Sequence, residues 1–323
     1  MVTSRFVQKA LFLLTFPDEL AAQYRDHVQA AFPQLEVELV NHHSKVGPHI
    51  SETELLLTFG GMMSDEVLSQ ATNLKWIQAL GTGVDGITDQ PSLGRDVLVT
   101  NMRGIHGPPV SEAAFTLMLA LSRDLPRAIR NQRDRVWDRF MPSLLKDKTV
   151  GIYGLGVIAE ELGPKCKAFG MKVIGITSTV RDVEGFDEVL HRDDLDEVIG
   201  DFDFFVLLVP YTAETKGIVD RHVLARMNPN AYLINVSRGG VVDEDALLAA
   251  LEARQFAGAA LDVFTEEPLP ADSPLWGMEN VLITPKQGGY CDVYVDHALP
   301  IIEENIRRFL AGEADTMINM VAR

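Results

Sequence analysis

The chain has 323 residues, 46% of them hydrophobic and 23% charged, which is enough for two globular domains each with its own core. A formal net charge of −17 repels phosphate backbones and argues against nucleic acid as a partner. The two cysteines, Cys166 and Cys291, form no CxxC pair, so neither a disulfide framework nor a thiolate metal site is expected.

Residues 10–16 form a short apolar run followed at once by Pro17, Asp18 and Glu19, which reads as a buried first strand rather than the core of a signal peptide. No other run approaches the length that spans a bilayer, so no membrane association and a cytoplasmic location are expected. A helix over residues 18–31 and strands at 35–40, 54–59, 74–80 and 97–101 complete a first βα series. Residues 111–125 read as a long apolar helix beginning after Pro108 and Pro109. A second series places strands at 149–153, 172–177, 202–209, 231–236, 258–264 and 281–284, with helices at 157–169 and 244–256. The charged stretch 182–203 reads as a solvated helix face and loop. A last helix over 292–310 has no further strand to serve and is expected to return to the first domain. This rhythm predicts an α/β chain with two doubly wound, parallel-sheet, Rossmann-like domains and a cleft between them. The expected boundaries give a substrate domain from 1–101 with 290–323, and a dinucleotide-binding domain over 102–289.

The most specific local signal is Gly154-Leu155-Gly156-Val157-Ile158-Ala159, placed between a strand and a helix. Gly154 allows the tight turn, Gly156 lets the backbone approach a pyrophosphate at the positive helix end, and Ala159 permits close helix–strand packing. The alternative is an ordinary βα turn. After the next strand come Thr177, Ser178, Thr179 and Arg181, with no Asp or Glu to accept from a ribose 2′-hydroxyl. Hydroxyls and a guanidinium suit a 2′-phosphate, which favours NADP over NAD, unless Arg181 simply points into solvent.

These segments, with Asn235-Val236-Ser237-Arg238-Gly239-Gly240, Leu261-Asp262-Val263-Phe264-Thr265-Glu266-Glu267-Pro268 and Thr284-Pro285-Lys286-Gln287-Gly288-Gly289, resemble the D-isomer-specific 2-hydroxyacid dehydrogenases over nearly the whole chain. The resemblance implies that Gly81, Thr82, Gly83 and Val84 offer backbone N–H groups to a substrate carboxylate. It implies that Arg238 clamps the carboxylate and keto oxygen, that Glu267 orients the proton carrier, and that Asp262 holds the nicotinamide end of the cofactor. Val157, Ile158, Val209, Pro210, Thr215, Val236, Ser237, Gly288 and Gly289 fall where cofactor contacts are implied. Read alone, Arg238 could be a helix-flanking charge and Asp262 a strand-end cap. Phe59, Gly60, Leu80 and Trp137 are candidates for the side-chain pocket. The implied partners are a small 2-keto or 2-hydroxy acid, with glyoxylate and hydroxypyruvate as first guesses, and a second copy of the chain, docked through the helix at 111–125 unless that helix packs only within its own chain.

The chain departs from the family at Lys286, where the resemblance implies histidine. An imidazole gives and takes a proton near neutrality, whereas a lysine beside a carboxylate is held as the cation. Three readings follow. Lys286 is the acid of a keto-acid reductase; or the protein is a non-catalytic dinucleotide sensor; or His106, Tyr290 or His297 carries the proton, His297 being expected on a helix surface.

Overall fold

In the computed structural model of the chain, residues 8–15, 17–59 and 63–322 are described; Phe16 and Gly60 lie outside them. The chain forms two compact units, Met1–Ile105 with Cys291–Arg323, and His106–Tyr290.

In the first unit, β1 (Gln8–Leu13), β2 (Leu35–Val40), β3 (Leu55–Thr58), β4 (Trp76–Ala79) and β5 (Leu98–Thr100) make an all-parallel sheet ordered β2-β1-β3-β4-β5. The central strands are continuous apolar runs because both faces are covered. Phe12, Leu55, Leu57 and Trp76 enter one core, while Leu11, Leu13, Leu56 and Ile77 enter the other. β2, Leu-Glu-Val-Glu-Leu-Val, alternates instead, and its Glu36 points to solvent at the sheet edge, where charge discourages further pairing. The last helix, Tyr294–Ala311, packs in this unit. Its Tyr294, Ala298, Ile302 and Ile306 join Tyr24 and Val28 of the helix Asp18–Ala31 in one core. His297 is exposed on that helix.

In the second unit, β6 (Thr149–Tyr153), β7 (Lys172–Thr177), β8 (Glu188–His191), β9 (Phe204–Leu207), β10 (Tyr232–Asn235), β11 (Gly258–Leu261) and β12 (Val281–Ile283) form a parallel sheet ordered β12-β11-β10-β9-β6-β7-β8. The order reverses direction between β6 and β9, the switch point at which such sheets bind ligands. Both units are therefore the parallel α/β sheets that the sequence predicts.

Two expectations need correcting. β8 lies inside the charged stretch read as helix and loop; only Val189 and Leu190 are apolar there, too short a signal for an edge strand. The helix placed at 111–125 spans Gly107–Ser122, because Pro108 and Pro109 occupy its first turn, where no intrahelical N–H bond is needed. Within the chain, its Val110, Ala114, Leu117, Met118 and Leu121 pack with Ala159, Leu162 and Cys166 of the helix Val157–Ala168. Among the described residues, the most exposed large apolar side chains follow it, with Trp137 at 90% and Met141 at 98% exposure, joined by Ile129 and Leu144. Cys166 is a core residue whose thiol burial pushes up to about 12, so it stays protonated and inert. Among the described residues no helix is long and apolar enough to cross a membrane.

Candidate active site

The proposed cofactor and proton-transfer residues of the second unit cluster at the carboxyl ends of its strands, in the loops and helix starts that follow them. The sharpest constraint is at Gly154, directly after β6. Its φ of +104° suits glycine, and a Cβ there would stand 2.8 Å from the Leu208 carbonyl carbon and 2.9 Å from the Val209 nitrogen. The turn is thereby pressed against the loop after β9, with Gly154 N–H donating to Ile176 O at 2.9 Å. At Gly156 a Cβ would meet nothing within 4 Å. Gly156 is the N-cap of the helix Val157–Ala168, with no side chain capping it, which leaves first-turn N–H groups for another acceptor. Val157 is 47% exposed beside them, Ile158 is partly buried, and Ala159 is fully buried against the sheet. These features fit a dinucleotide pyrophosphate.

Thr177 ends β7 and is followed by exposed Ser178, Thr179 and Arg181. Arg181 does not simply point into solvent. It folds back to donate to Leu155 O at 3.1 Å and to Glu160 Oε1 at 2.6 Å. Glu160 is a residue that the sequence reading missed, because the pair spans 21 positions.

Val209, Val236 and Ser237 are all buried. The Ser237 hydroxyl donates to Asn235 Oδ1 at 2.8 Å. Thr215 shapes its own loop by donating to Pro210 O at 2.6 Å and accepting from Thr212 N–H at 2.8 Å. Backbone groups, rather than these side chains, are therefore what the loops can present to a cofactor.

Arg238 follows β10. Asn235 Nδ2 donates to its carbonyl at 3.0 Å, and its own Nη1 donates to Ser237 O at 2.7 Å. The neighbouring Gly239 is required by contact: a Cβ there would sit 1.9 Å from the Phe264 carbonyl carbon. This presses the Arg238 backbone against the loop after β11. The same loop holds Glu267, whose Oε1 accepts from Phe264 N–H at 3.2 Å. Its Oε2 accepts from Lys286 Nζ in a direct ion pair.

Lys286 has a φ of +52°, a left-handed conformation uncommon for residues other than glycine. Such conformations persist where the surroundings impose them, and here Asp262 does so. Asp262 is 4% exposed. Its Oδ1 accepts from Thr284 Oγ1 at 2.5 Å and from Gln287 N–H at 3.0 Å, and its Oδ2 accepts from Gly288 N–H at 2.9 Å. In the described structure this buried carboxylate anchors the Lys286 loop. Half of the Lys286 side chain, 51%, remains exposed, so its ammonium has donors to spare.

Gly289 lies against the His106 ring, with its Cβ position 3.3 Å from His106 Cδ2. Burial raises the Tyr290 phenol above its ordinary value, which makes it a poorer proton donor. In the first unit, Gly81, Thr82, Gly83 and Val84 follow β4. The N–H groups of Gly81, Gly83 and Val84 find no acceptor among the described residues. Of the pocket candidates, Leu80 is fully buried in the core and Trp137 is 90% exposed. Phe59 packs partly buried against the first-unit core.

Residues 115–288 match the model of the D-isomer specific 2-hydroxyacid dehydrogenase NAD binding domain. A D-3-phosphoglycerate dehydrogenase of Methanocaldococcus jannaschii is 37% identical over 273 residues, 82% of this chain and 51% of that protein. The chain thus spans about half the length of that curated relative. Among solved structures, a D-isomer specific 2-hydroxyacid dehydrogenase family protein from Aeromonas salmonicida superposes with a TM-score of 0.86 at 33% identity, covering 98% of this chain and 99% of that one. An NADPH-dependent glyoxylate/hydroxypyruvate reductase from Sinorhizobium meliloti, in complex with NADP and sulfate, gives 0.82 at 28% identity, covering 97% and 98%. The chain belongs to the D-isomer specific 2-hydroxyacid dehydrogenase family.

Proposed function

We propose that this protein reduces a small 2-keto acid to the D-2-hydroxy acid with NADPH, using Lys286 as the proton donor. The observation that carries the reading is the Glu267–Lys286 ion pair, with Lys286 on a loop anchored by buried Asp262. NADPH, when bound, supplies the hydride for the keto carbon. Arg238 holds the carboxylate and keto oxygen through its planar fork, and the 81–84 N–H groups receive the carboxylate. The Lys286 ammonium stabilises the developing alkoxide and protonates it, while Glu267 holds that side chain in place through the ion pair. Glyoxylate and hydroxypyruvate lead the substrate panel, supported by the Sinorhizobium meliloti reductase. Phosphohydroxypyruvate joins them because of the phosphoglycerate dehydrogenase relatives. Consumption of NADPH by any of these acids is the expected result. Dinucleotide binding without turnover of any 2-keto acid would favour a non-catalytic sensor on the same fold.

The hydroxyls of Thr177, Ser178 and Thr179, with Arg181 beside them, favour the 2′-phosphate of NADPH over NADH. Glu160 competes for the same guanidinium. Fluorescence titration should give NADPH the lower Kd, and Glu160→Gln should tighten NADPH by roughly the tenfold that one charge-assisted hydrogen bond supplies. Thr177→Asp should reverse the preference. Stronger NADH binding by the wild type would refute the assignment.

A homodimer is also proposed, but through the arm after the helix Gly107–Ser122. Exposed Trp137 and Met141 lie there, and aromatic and sulfur-bearing side chains commonly anchor interfaces. Light scattering should give twice the chain mass for the wild type and the chain mass for Trp137→Ser/Met141→Ser. A monomeric wild type contradicts the proposal.

A further inference from the structure

A glycine-containing loop that presents N–H groups to a carboxylate needs something to hold it in one conformation, since glycine loses more freedom on ordering than any other residue. In the first unit three successive carbonyls are taken. Leu80 O accepts from the Tyr294 hydroxyl, Gly81 O accepts from Met102 N–H at 3.1 Å, and Thr82 O accepts from Asn101 Nδ2 at 2.8 Å. In a planar trans peptide each C=O points opposite to the N–H of the next residue. Fixing these carbonyls therefore aims the N–H groups of Gly81, Thr82 and Gly83 away from the donors. Those of Gly81 and Gly83 are the ones without an acceptor among the described residues.

The donors are themselves held. Tyr294 is 5% exposed, at the start of the helix Tyr294–Ala311, and packs in the core with Leu80 and Met102. Asn101 Oδ1 accepts from Arg103 N–H at 3.1 Å. Asn101 N–H donates to Asn319 O at 3.2 Å, and Asn319 Nδ2 donates back to Asn101 O at 3.2 Å. The carboxyl-terminal part of the chain thus fastens a loop more than 200 residues earlier in sequence, as the 214-residue separation of Tyr294 and Leu80 records.

We propose that Tyr294 and Asn101 are positioning residues for substrate-carboxylate recognition, acting through the peptide orientations of the 81–84 loop. The inference rests on the keto-acid reading of that loop. Tyr294→Phe keeps the ring and removes only the hydroxyl, leaving the Leu80 carbonyl unpaired. The expected result is a roughly tenfold rise in the KM of the best 2-keto acid and in the Kd of oxamate for the NADPH-bound protein. kcat and NADPH affinity should stay near wild type. Asn101→Ala should act in the same direction through Thr82. A general structural role would instead weaken NADPH and oxamate binding together, with a lower melting temperature, and would overturn the proposal. Unchanged oxamate binding in both variants would also overturn it, as would a wild type that does not bind oxamate. If the wild type binds oxamate but reduces no 2-keto acid, the proposed activity fails, while the oxamate Kd values still decide the positioning role.

Discussion

Lys286→Ala is expected to lower 2-keto acid reduction by about 10²–10⁴-fold, the usual contribution of a positioned general acid. NADPH affinity should barely change, because the loop is anchored by Asp262 through Thr284 and the backbone N–H groups of Gln287 and Gly288, and not through the Lys286 side chain. The variant leaves Glu267 bonded to Phe264 N–H without its cation, so the loss combines a missing proton donor with an uncompensated carboxylate. Steady-state rates against the best keto acid, with NADPH titrated separately, measure both effects. If Lys286→Ala remains as active as the wild type, the proton comes from elsewhere. His106, whose ring lies against Gly289, then becomes the leading candidate, ahead of Tyr290 with its raised phenol.

Arg238→Lys should lower kcat/KM by about 2–4 kcal/mol of transition-state stabilisation, roughly 30- to 1,000-fold, while leaving dinucleotide Kd unchanged. A lysine keeps the charge and loses the planar fork, so the loss isolates bidentate geometry from net charge. The backbone at this position is set by Asn235 below it and by the contact of Gly239 with Phe264, neither of which depends on the side chain. Retention of near-wild-type kcat/KM would remove Arg238 from substrate contact.

Features governed by local rules were legible in the sequence. The demand at Gly154 comes from its own φ and from close backbone approach, and a glycine between strand and helix announces it. The buried strands of both sheets stand out as apolar runs because each is covered on two faces. What depended on distant partners was not legible. Asp262 takes its three donors from residues 22 to 26 positions later, so its role as anchor of the Lys286 loop left no local trace. Arg181 meets Glu160 across the first turn of a helix and the following strand, and only folding brings them together. β8 pairs through backbone groups and carries little apolar sequence. The resemblance, rather than periodicity, pointed to Glu267 and Lys286 as a pair, and the two side chains do form an ion pair.

The left-handed backbone of Lys286 bears on the most direct test of the proton donor, because histidine tolerates that conformation better than most residues and Lys286→His therefore adds little strain. The measurement is the pH–rate profile of wild type and Lys286→His, in both the reduction and oxidation directions. Reduction needs the protonated donor and oxidation needs the neutral base. Wild-type reduction should therefore fall with rising pH over the same range in which oxidation rises. Histidine side chains titrate several pH units below lysines, so both limbs should move down together by a comparable amount in Lys286→His. Limbs that stay in place when Lys286 becomes histidine would contradict Lys286 as the proton donor.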